Sequence, residues 1–268
     1  MFSKRSLPKA FGLLAGAILL ATASLAVQAG LLVNPTGGTT IFAPPADDEQ
    51  TTVSLGGNFN LYGNTINSIK VSSNGYLTTG DGLLFSDRSI GSLALDSGGL
   101  VIAPLYDDLI HTAQSNSLTS GLGTSNYYAV TWSNVQGVDP ASTSDQSSTF
   151  QAVLFLANTV LGSHNFLAGD IAFSYGDLNH LITDSQVLGS TATVGVGKDA
   201  ANFTGLPTVM DGQISSLVGL PDVGYLLYRG NGNGGYGVAQ VPEPETLFLT
   251  ALGLAAMRVS RRHKRHAH

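Results

Sequence analysis

The sequence predicts an all-β fold for residues 30–229, built as a single antiparallel domain of the β-sandwich type. Gly, Ser, Thr and Asn are abundant in this body, and no stretch of it sustains a helical period. Short β-branched or aromatic runs recur instead, separated by turn residues, which is typical of a sandwich or barrel. The chain has no cysteine, so this domain must fold around its hydrophobic core without disulfides.

The first predicted strands follow an extended, proline-containing segment over residues 30–50. The strand over residues 66–72 alternates apolar with polar side chains and leads into Asn74-Gly75, the strongest short-range hairpin signal. A later strand closes at Pro104, which cannot donate to a ladder. The predicted strands are residues 51–55, 66–72, 100–105, 126–132, 150–156, 171–175, 191–196 and 225–228.

Two of these strands carry different burial patterns. Residues 126–132 place Tyr128 and Trp132 on one face and Tyr127 on the other, so half of this strand is expected in the core. Residues 150–156 are apolar apart from Gln151, which predicts a central strand buried on both faces. Polar loops are predicted over residues 115–125 and 137–148.

A glycine- and asparagine-rich stretch follows the last predicted strand. Residues 230–240 are predicted to form a flexible linker that holds the domain away from a membrane, so that a processing enzyme reaches the tail. A tight turn inside the domain is the alternative interpretation.

The amino terminus has the pattern of a secretory signal peptide over residues 1–29. Three cationic residues precede the apolar run at residues 11–20, and small residues lead to an expected signal peptidase cleavage between Ala29 and Gly30. A retained N-terminal membrane helix is the alternative.

The body over residues 30–229 is strongly acidic. It contains four Lys/Arg and sixteen Asp/Glu, a net charge of −12, which excludes nucleic acid as a partner and favours cations or basic groups.

The tail over residues 241–268 combines three features in a fixed order. A turn-like acidic segment is followed by the uncharged apolar residues 246–257, which as a helix would be about 18 Å long against the roughly 30 Å of a hydrocarbon core. This predicts a short, marginal transmembrane helix whose basic end lies in the cytoplasm. The basic stop consists of Arg258, Arg261, Arg262, Lys264 and Arg265.

This order resembles the PEP-CTERM sorting signal of Gram-negative bacteria that make exopolysaccharide, and the matching residues are Val241, Pro242, Glu243 and Pro244. The resemblance implies that an exosortase cuts near the motif after transient anchoring in the inner membrane. The protein then passes to the cell surface or extracellular matrix. A permanent C-terminal membrane anchor is the alternative.

Five segments of the body, in order, are similar to a nidogen-like extracellular domain from about Thr51 to about Gly205. The resemblance implies an all-β module of matrix and adhesion proteins that has no catalytic residues of its own. The segments begin at Val71, Ile102, Tyr127, Thr149 and Ile171.

Few residues of the body suggest chemistry. Asp107 and Asp108 are interpreted as solvated carboxylates at a strand end, or alternatively as calcium ligands together with Asp177 and Asn179. The histidines are isolated and are predicted to lie in loops or at the surface: His111, His164 and His180. An aromatic platform for sugar rings is a further hypothesis for Trp132, Tyr106, Tyr127 and Tyr128, although alternation favours placing half of them in the core.

These observations predict a non-enzymatic structural or adhesion protein of the cell surface or matrix, associated with exopolysaccharide or biofilm. Signal peptidase and exosortase are its expected processing enzymes, and no cofactor is expected apart from calcium. A secreted polysaccharide-binding or polysaccharide-degrading protein with the same tail is the alternative.

Overall fold

The structure is a computed structural model that describes residues 30–81, 99–111, 115–120, 126–137, 147–162, 164–178, 192–199, 202–209 and 225–239. The signal peptide and the sorting tail, with the predicted C-terminal helix, lie outside these residues. Within them, no helix has the length and apolar character that crossing a membrane requires.

All regular secondary structure in these ranges is β-strand, which confirms the predicted all-β class. Each predicted strand overlaps an observed one, with ends that differ by up to six residues. The strands are β1 (Thr39–Phe42), β2 (Gln50–Leu61), β3 (Asn64–Ser72), β4 (Leu77–Thr78), β5 (Val101–Tyr106), β6 (Leu109–His111), β7 (Ser115–Ser120), β8 (Tyr127–Gly137), β9 (Ser148–Phe155), β10 (Thr159–Leu161), β11 (His164–Phe166), β12 (Ile171–Leu178), β13 (Ala192–Asp199), β14 (Asn202–Val209), β15 (Tyr225–Gly230) and β16 (Tyr236–Ala239).

The strands form two antiparallel sheets and one small hairpin. The larger sheet has eight strands in the order β1-β7-β8-β9-β12-β15-β16, with β6 also paired to β8. The smaller has six strands in the order β14-β13-β5-β4-β3-β2, and β10 pairs with β11 alone. Both sheets contribute side chains to one hydrophobic cluster, which is the arrangement of a sandwich. Its largest buried members are Trp132, Tyr175, Tyr228, Phe42, Phe59, Phe150, Phe173 and Leu55.

The central strands of the larger sheet are buried on both faces. A second cluster covers the outer face, where Tyr127 and Phe155 pack with Phe166 of the β10–β11 hairpin and with Val33. Buried Gln151 fixes Val33 there, since its Nε2 donates to the Val33 carbonyl at 2.9 Å and its Oε1 accepts from the Val33 amide at 3.0 Å. The two-sided burial predicted for residues 150–156 is confirmed, whereas the expectation that half of residues 126–132 stay outside the core is wrong.

Two expectations about loops need correction. Ser115–Ser120 is strand β7 rather than a loop, because β1 on one side and β8 on the other supply its ladder partners. Residues 230–239 are not a flexible linker, because β15 and β16 pair from Leu227–Ala239 to Gly230–Tyr236. Asn231 closes the turn between them by accepting hydrogen bonds from the amides of Asn233 and Gly235. The glycines allow this turn, which is the tight turn within the domain that the sequence left as the alternative.

Candidate functional site

The polar centre of the domain is the segment Ser72–Tyr76, named here the buried turn, between β3 and β4. Ser72, Ser73 and Asn74 are fully buried, although the Asn74-Gly75 hairpin signal is typical of exposed turns. The Ser72 amide donates to the Tyr76 carbonyl at 2.9 Å, which closes the turn. Since buried peptide groups need partners, side chains from distant strands must complete this segment.

Three distant side chains hold the buried turn. The indole Nε1 of Trp132 donates to the Ser72 carbonyl at 2.9 Å. Nε2 of His111 lies 2.7 Å from the Ser73 carbonyl, which requires the proton to be on Nε2. The side chain of Asn74 makes two such contacts: its Nδ2 donates to Oδ1 of Asp48 at 3.0 Å, and its Oδ1 accepts from the backbone amide of Leu109 at 3.1 Å. The polar groups at this centre therefore stabilise the fold.

The prediction of a loop or surface position is wrong for His111, which lies fully buried in β6. Burial lowers the pKa of His111, and the contact with the Ser73 carbonyl opposes that shift. Its ring also packs against Phe42, with centroids 5.3 Å apart. His164 lies half-buried in β11, whereas His180 is outside the described residues.

The two predicted calcium ligands occupy different environments. Asp107 is fully buried after β5, and its Oδ1 accepts from the Asp108 amide at 2.8 Å, so the interpretation as a solvated carboxylate is wrong for it. Asp108 is half-buried and lies beside Asp47 and Asp48, with ligand oxygens of all three within 4.8 Å of one another. Burial, and then the neighbouring Asp48 charge, raise the pKa of Asp47. A hard cation would relieve this repulsion.

Calcium binding therefore stays a prediction, with the ligand set changed to Asp47, Asp48 and Asp108; the side chain of Asp177 and all of Asn179 lie outside the described residues. Replacing EDTA with millimolar calcium should raise the midpoint of thermal unfolding by about 3 °C or more, because a ligand bound only by the folded state stabilises it. Asp108→Asn should abolish this increase, and Asp81→Asn, at an exposed carboxylate elsewhere, should retain it. Equal midpoints in EDTA and calcium would rule the site out.

The aromatic platform that the sequence suggested is not formed by the predicted side chains. Tyr106, Tyr127, Tyr128 and Trp132 are all buried. Trp132 stacks on Phe150 with ring centroids 5.2 Å apart. These side chains contribute packing energy, about 2 kcal/mol for a typical large apolar side chain, and present no face to a sugar.

A cleft that sequence reasoning missed opens where three turns meet, and it is named here the turn cleft. The turns join β2 to β3, β11 to β12 and β15 to β16, and the cavity between them has a volume of about 340 Å³. Buried Asp170 and half-buried Arg229 form a bidentate ion pair in its lining, with Nε–Oδ1 and Nη2–Oδ2 distances of 2.9 and 2.6 Å. Hydrogen bonding to Asp170 raises the pKa of Arg229. Arg229 is one of only four Lys/Arg residues in the body, and this rarity is a signal for a functional role. The sequence alone did not show that Asp170 is its partner.

The sorting residues Val241, Pro242, Glu243 and Pro244 lie outside the described residues, as do the basic stop and Ala29. Gly30, the first described residue, is exposed. Strand β16 ends at Ala239, so the sorting motif begins two residues after the edge of the larger sheet. The apolar segment that starts at residue 246 is therefore within about 25 Å of that edge, even with a fully extended chain.

Two family profiles match the chain. The profile described as NIDO related matches residues 24–218, and the PEP-CTERM protein-sorting motif matches residues 240–265. Searches of curated proteins and of solved structures found no significant match. The β15–β16 hairpin lies between the two matched ranges, yet it pairs with β12 as part of the same sheet. The first match covers most of the chain, and the second marks its sorting tail for exosortase processing: the protein belongs to the NIDO-related family and carries a PEP-CTERM sorting motif.

Proposed function

We propose that this exported protein is a non-catalytic adhesion or structural component of the surface or extracellular matrix of a Gram-negative cell, where it associates with exopolysaccharide. The observation that carries the proposal is the combination of a NIDO-related β domain with a sorting tail on one chain. The tail directs the sorting of the exported chain, and the domain supplies a rigid body that remains after the tail is processed. Before processing, the short apolar segment anchors the chain in the inner membrane.

The described polar residues support a structural role for the domain. His111 and Ser73 are residue types that serve as base and nucleophile in enzymes, but here both are buried and hydrogen-bonded to the backbone of other segments. The Oγ of Ser73 accepts a hydrogen bond from the backbone amide of Glu49 at 2.9 Å, and Nε2 of His111 donates to the carbonyl of Ser73. Each group is thus engaged in holding the buried turn.

The turn cleft favours polysaccharide binding over hydrolysis, the two forms of the alternative function. A glycosidase uses two carboxyl groups on either side of the scissile bond. Among the described residues lining the cleft, Asp170 is the single carboxylate, and both of its oxygens are bonded to Arg229. A binding role fits this lining, since binding a sugar, unlike hydrolysing one, does not require a pair of carboxyl groups that transfer protons.

Fractionation of cells with and without exopolysaccharide synthesis tests the proposal. We expect most of the mature protein in the matrix fraction of producing cells and in the medium of non-producing cells. The purified mature chain should also sediment with isolated exopolysaccharide without releasing new reducing ends. A different outcome, in which the protein cleaves the polymer or distributes equally in both strains, would refute the adhesion role.

A further inference from the structure

We propose that the turn cleft binds one neutral hexopyranose unit of a polysaccharide, an inference that rests on the proposed association with exopolysaccharide. The cavity of about 340 Å³ lies at the lower end of the range for small-molecule sites. It combines one partly exposed, fixed aromatic ring, that of Tyr62, with a few polar groups, the composition by which proteins orient small ligands.

The lining of the cleft has a polar centre with a fixed geometry. Asp170 is almost fully buried, and its Oδ2 also accepts from the Leu167 amide at 2.8 Å. Arg229 uses Nε and Nη2 for this carboxylate while 37 % of its side chain stays exposed. Its Nη1 has no partner among the described residues, so two N–H donors remain available. The ion pair thus offers directional donors whose net charge is close to zero.

Two tyrosine rings in the lining are held rigidly. Tyr62 and Tyr236 meet edge to face with centroids 5.1 Å apart. The Tyr236 hydroxyl donates to the carbonyl of Asn60 at 2.9 Å, and the Tyr62 hydroxyl donates to that of Val196 at 2.9 Å. Because both hydroxyls are engaged with the backbone, buried Tyr236 holds the partly exposed Tyr62 ring in place, and the Tyr62 ring is pre-organised to pack against the C–H groups of a sugar ring.

The electrostatics of the site select a neutral sugar over an acidic one. The Arg229 charge is already balanced by Asp170, and the body of the chain carries a net charge of −12. A carboxylated sugar would meet this negative field without a free cation to pair with. Hydroxyl oxygens, by contrast, accept hydrogen bonds from Nη1 and from the amide of exposed Asn60, whose own oxygen accepts from Gly63. A hydroxyl-rich, uncharged ring satisfies these donors.

Titration of the mature chain with methyl glycosides of glucose, galactose and mannose, and with glucuronate, tests the site by calorimetry and saturation-transfer NMR. We expect at least one neutral glycoside to bind more tightly than glucuronate. Ala168→Trp places a large ring in the cleft from an exposed position and should weaken binding at least tenfold. Val160→Trp adds the same ring at a 65 % exposed position outside the lining and should leave binding unchanged. Both variants should unfold at the wild-type urea midpoint.

Failure of this inference differs from failure of the proposed function. Absence of binding to every neutral glycoside, preference for glucuronate, or equal binding by Ala168→Trp and wild type would each overturn the assignment of the cleft. Sedimentation of the wild-type chain with exopolysaccharide would still stand in those cases. If the chain fails to sediment with the polymer yet binds a neutral glycoside through the cleft, the proposed function falls and the site remains.

Discussion

Mature protein from cells with an active exosortase will end within residues 241–245, and protein from cells without the enzyme will end at His268. The combined substitution Pro242→Ala, Glu243→Ala and Pro244→Ala will leave His268 as the terminus in both. Two prolines two residues apart disfavour helix and strand pairing, so we expect the enzyme to recognise the motif as an extended backbone, and alanine removes that restriction. Mass spectrometry of the C-terminal peptide measures the outcome.

The position of the folded sheet sharpens this experiment. Because β16 ends at Ala239, cleavage at Pro244 would occur within about 18 Å of folded structure. Glu245→Ser changes the tail outside the substituted tripeptide and serves as the matched control, with processing retained. A terminus at His268 in wild-type cells that contain the exosortase would contradict the sorting assignment, as would normal processing of the triple variant.

Replacing Gly75 with alanine will destabilise the folded domain by about 3 kcal/mol, because it combines backbone strain with a clash. The φ of Gly75 is +77°, and a Cβ there would lie 1.9 Å from the carbonyl oxygen of Leu105. That carbonyl belongs to the backbone of β5 and has no rotamer through which to retreat. The urea midpoint should fall by about 1 M, in line with the typical dependence of stability on denaturant.

Gly37→Ala separates strain from clash in the same measurement. Gly37 has a φ of +84°, but a Cβ at this position meets nothing within 4 Å. Alanine there should cost only about 1 kcal/mol, the usual penalty for an L-residue in the left-handed region. Equal urea midpoints for the two variants would show that the buried turn relaxes around a new methyl group, contrary to the packing described above.

Much of the fold followed from contiguous patterns in the sequence. The alternation in residues 66–72, the Asn74-Gly75 turn and the apolar run at residues 150–156 each predicted a local element that the structure contains. Strand β7 was missed because its six residues, Ser115–Ser120, lack an apolar alternation and pair through their backbones. The hairpin after Tyr225–Gly230 was missed because glycine-rich composition suits a linker and a tight turn equally well.

The candidate sites were less accessible to sequence reasoning. Sequence proximity paired Asp107 with Asp108, but the fold buries Asp107 and brings Asp108 to Asp47 and Asp48, about 60 residues earlier in the chain. The turn cleft pairs Asp170 with Arg229 across two neighbouring strands, with Tyr62 added from the other sheet. No local pattern marks such a group, since each member is an ordinary turn or strand residue in its own segment.

By itself, the sequence determined the all-β class, the β3–β4 hairpin at Asn74-Gly75 and the sorting tail. Alternation, turn chemistry and the order of features in a short tail are all properties of neighbouring residues. Tertiary structure alone decided that Tyr127 and His111 are buried and that the turn cleft exists. Burial depends on what covers the second face of a strand, and that cover comes from the N-terminal segment, the β10–β11 hairpin and the opposing sheet. These contacts join residues that lie far apart along the chain, so they exist only once the two sheets have packed.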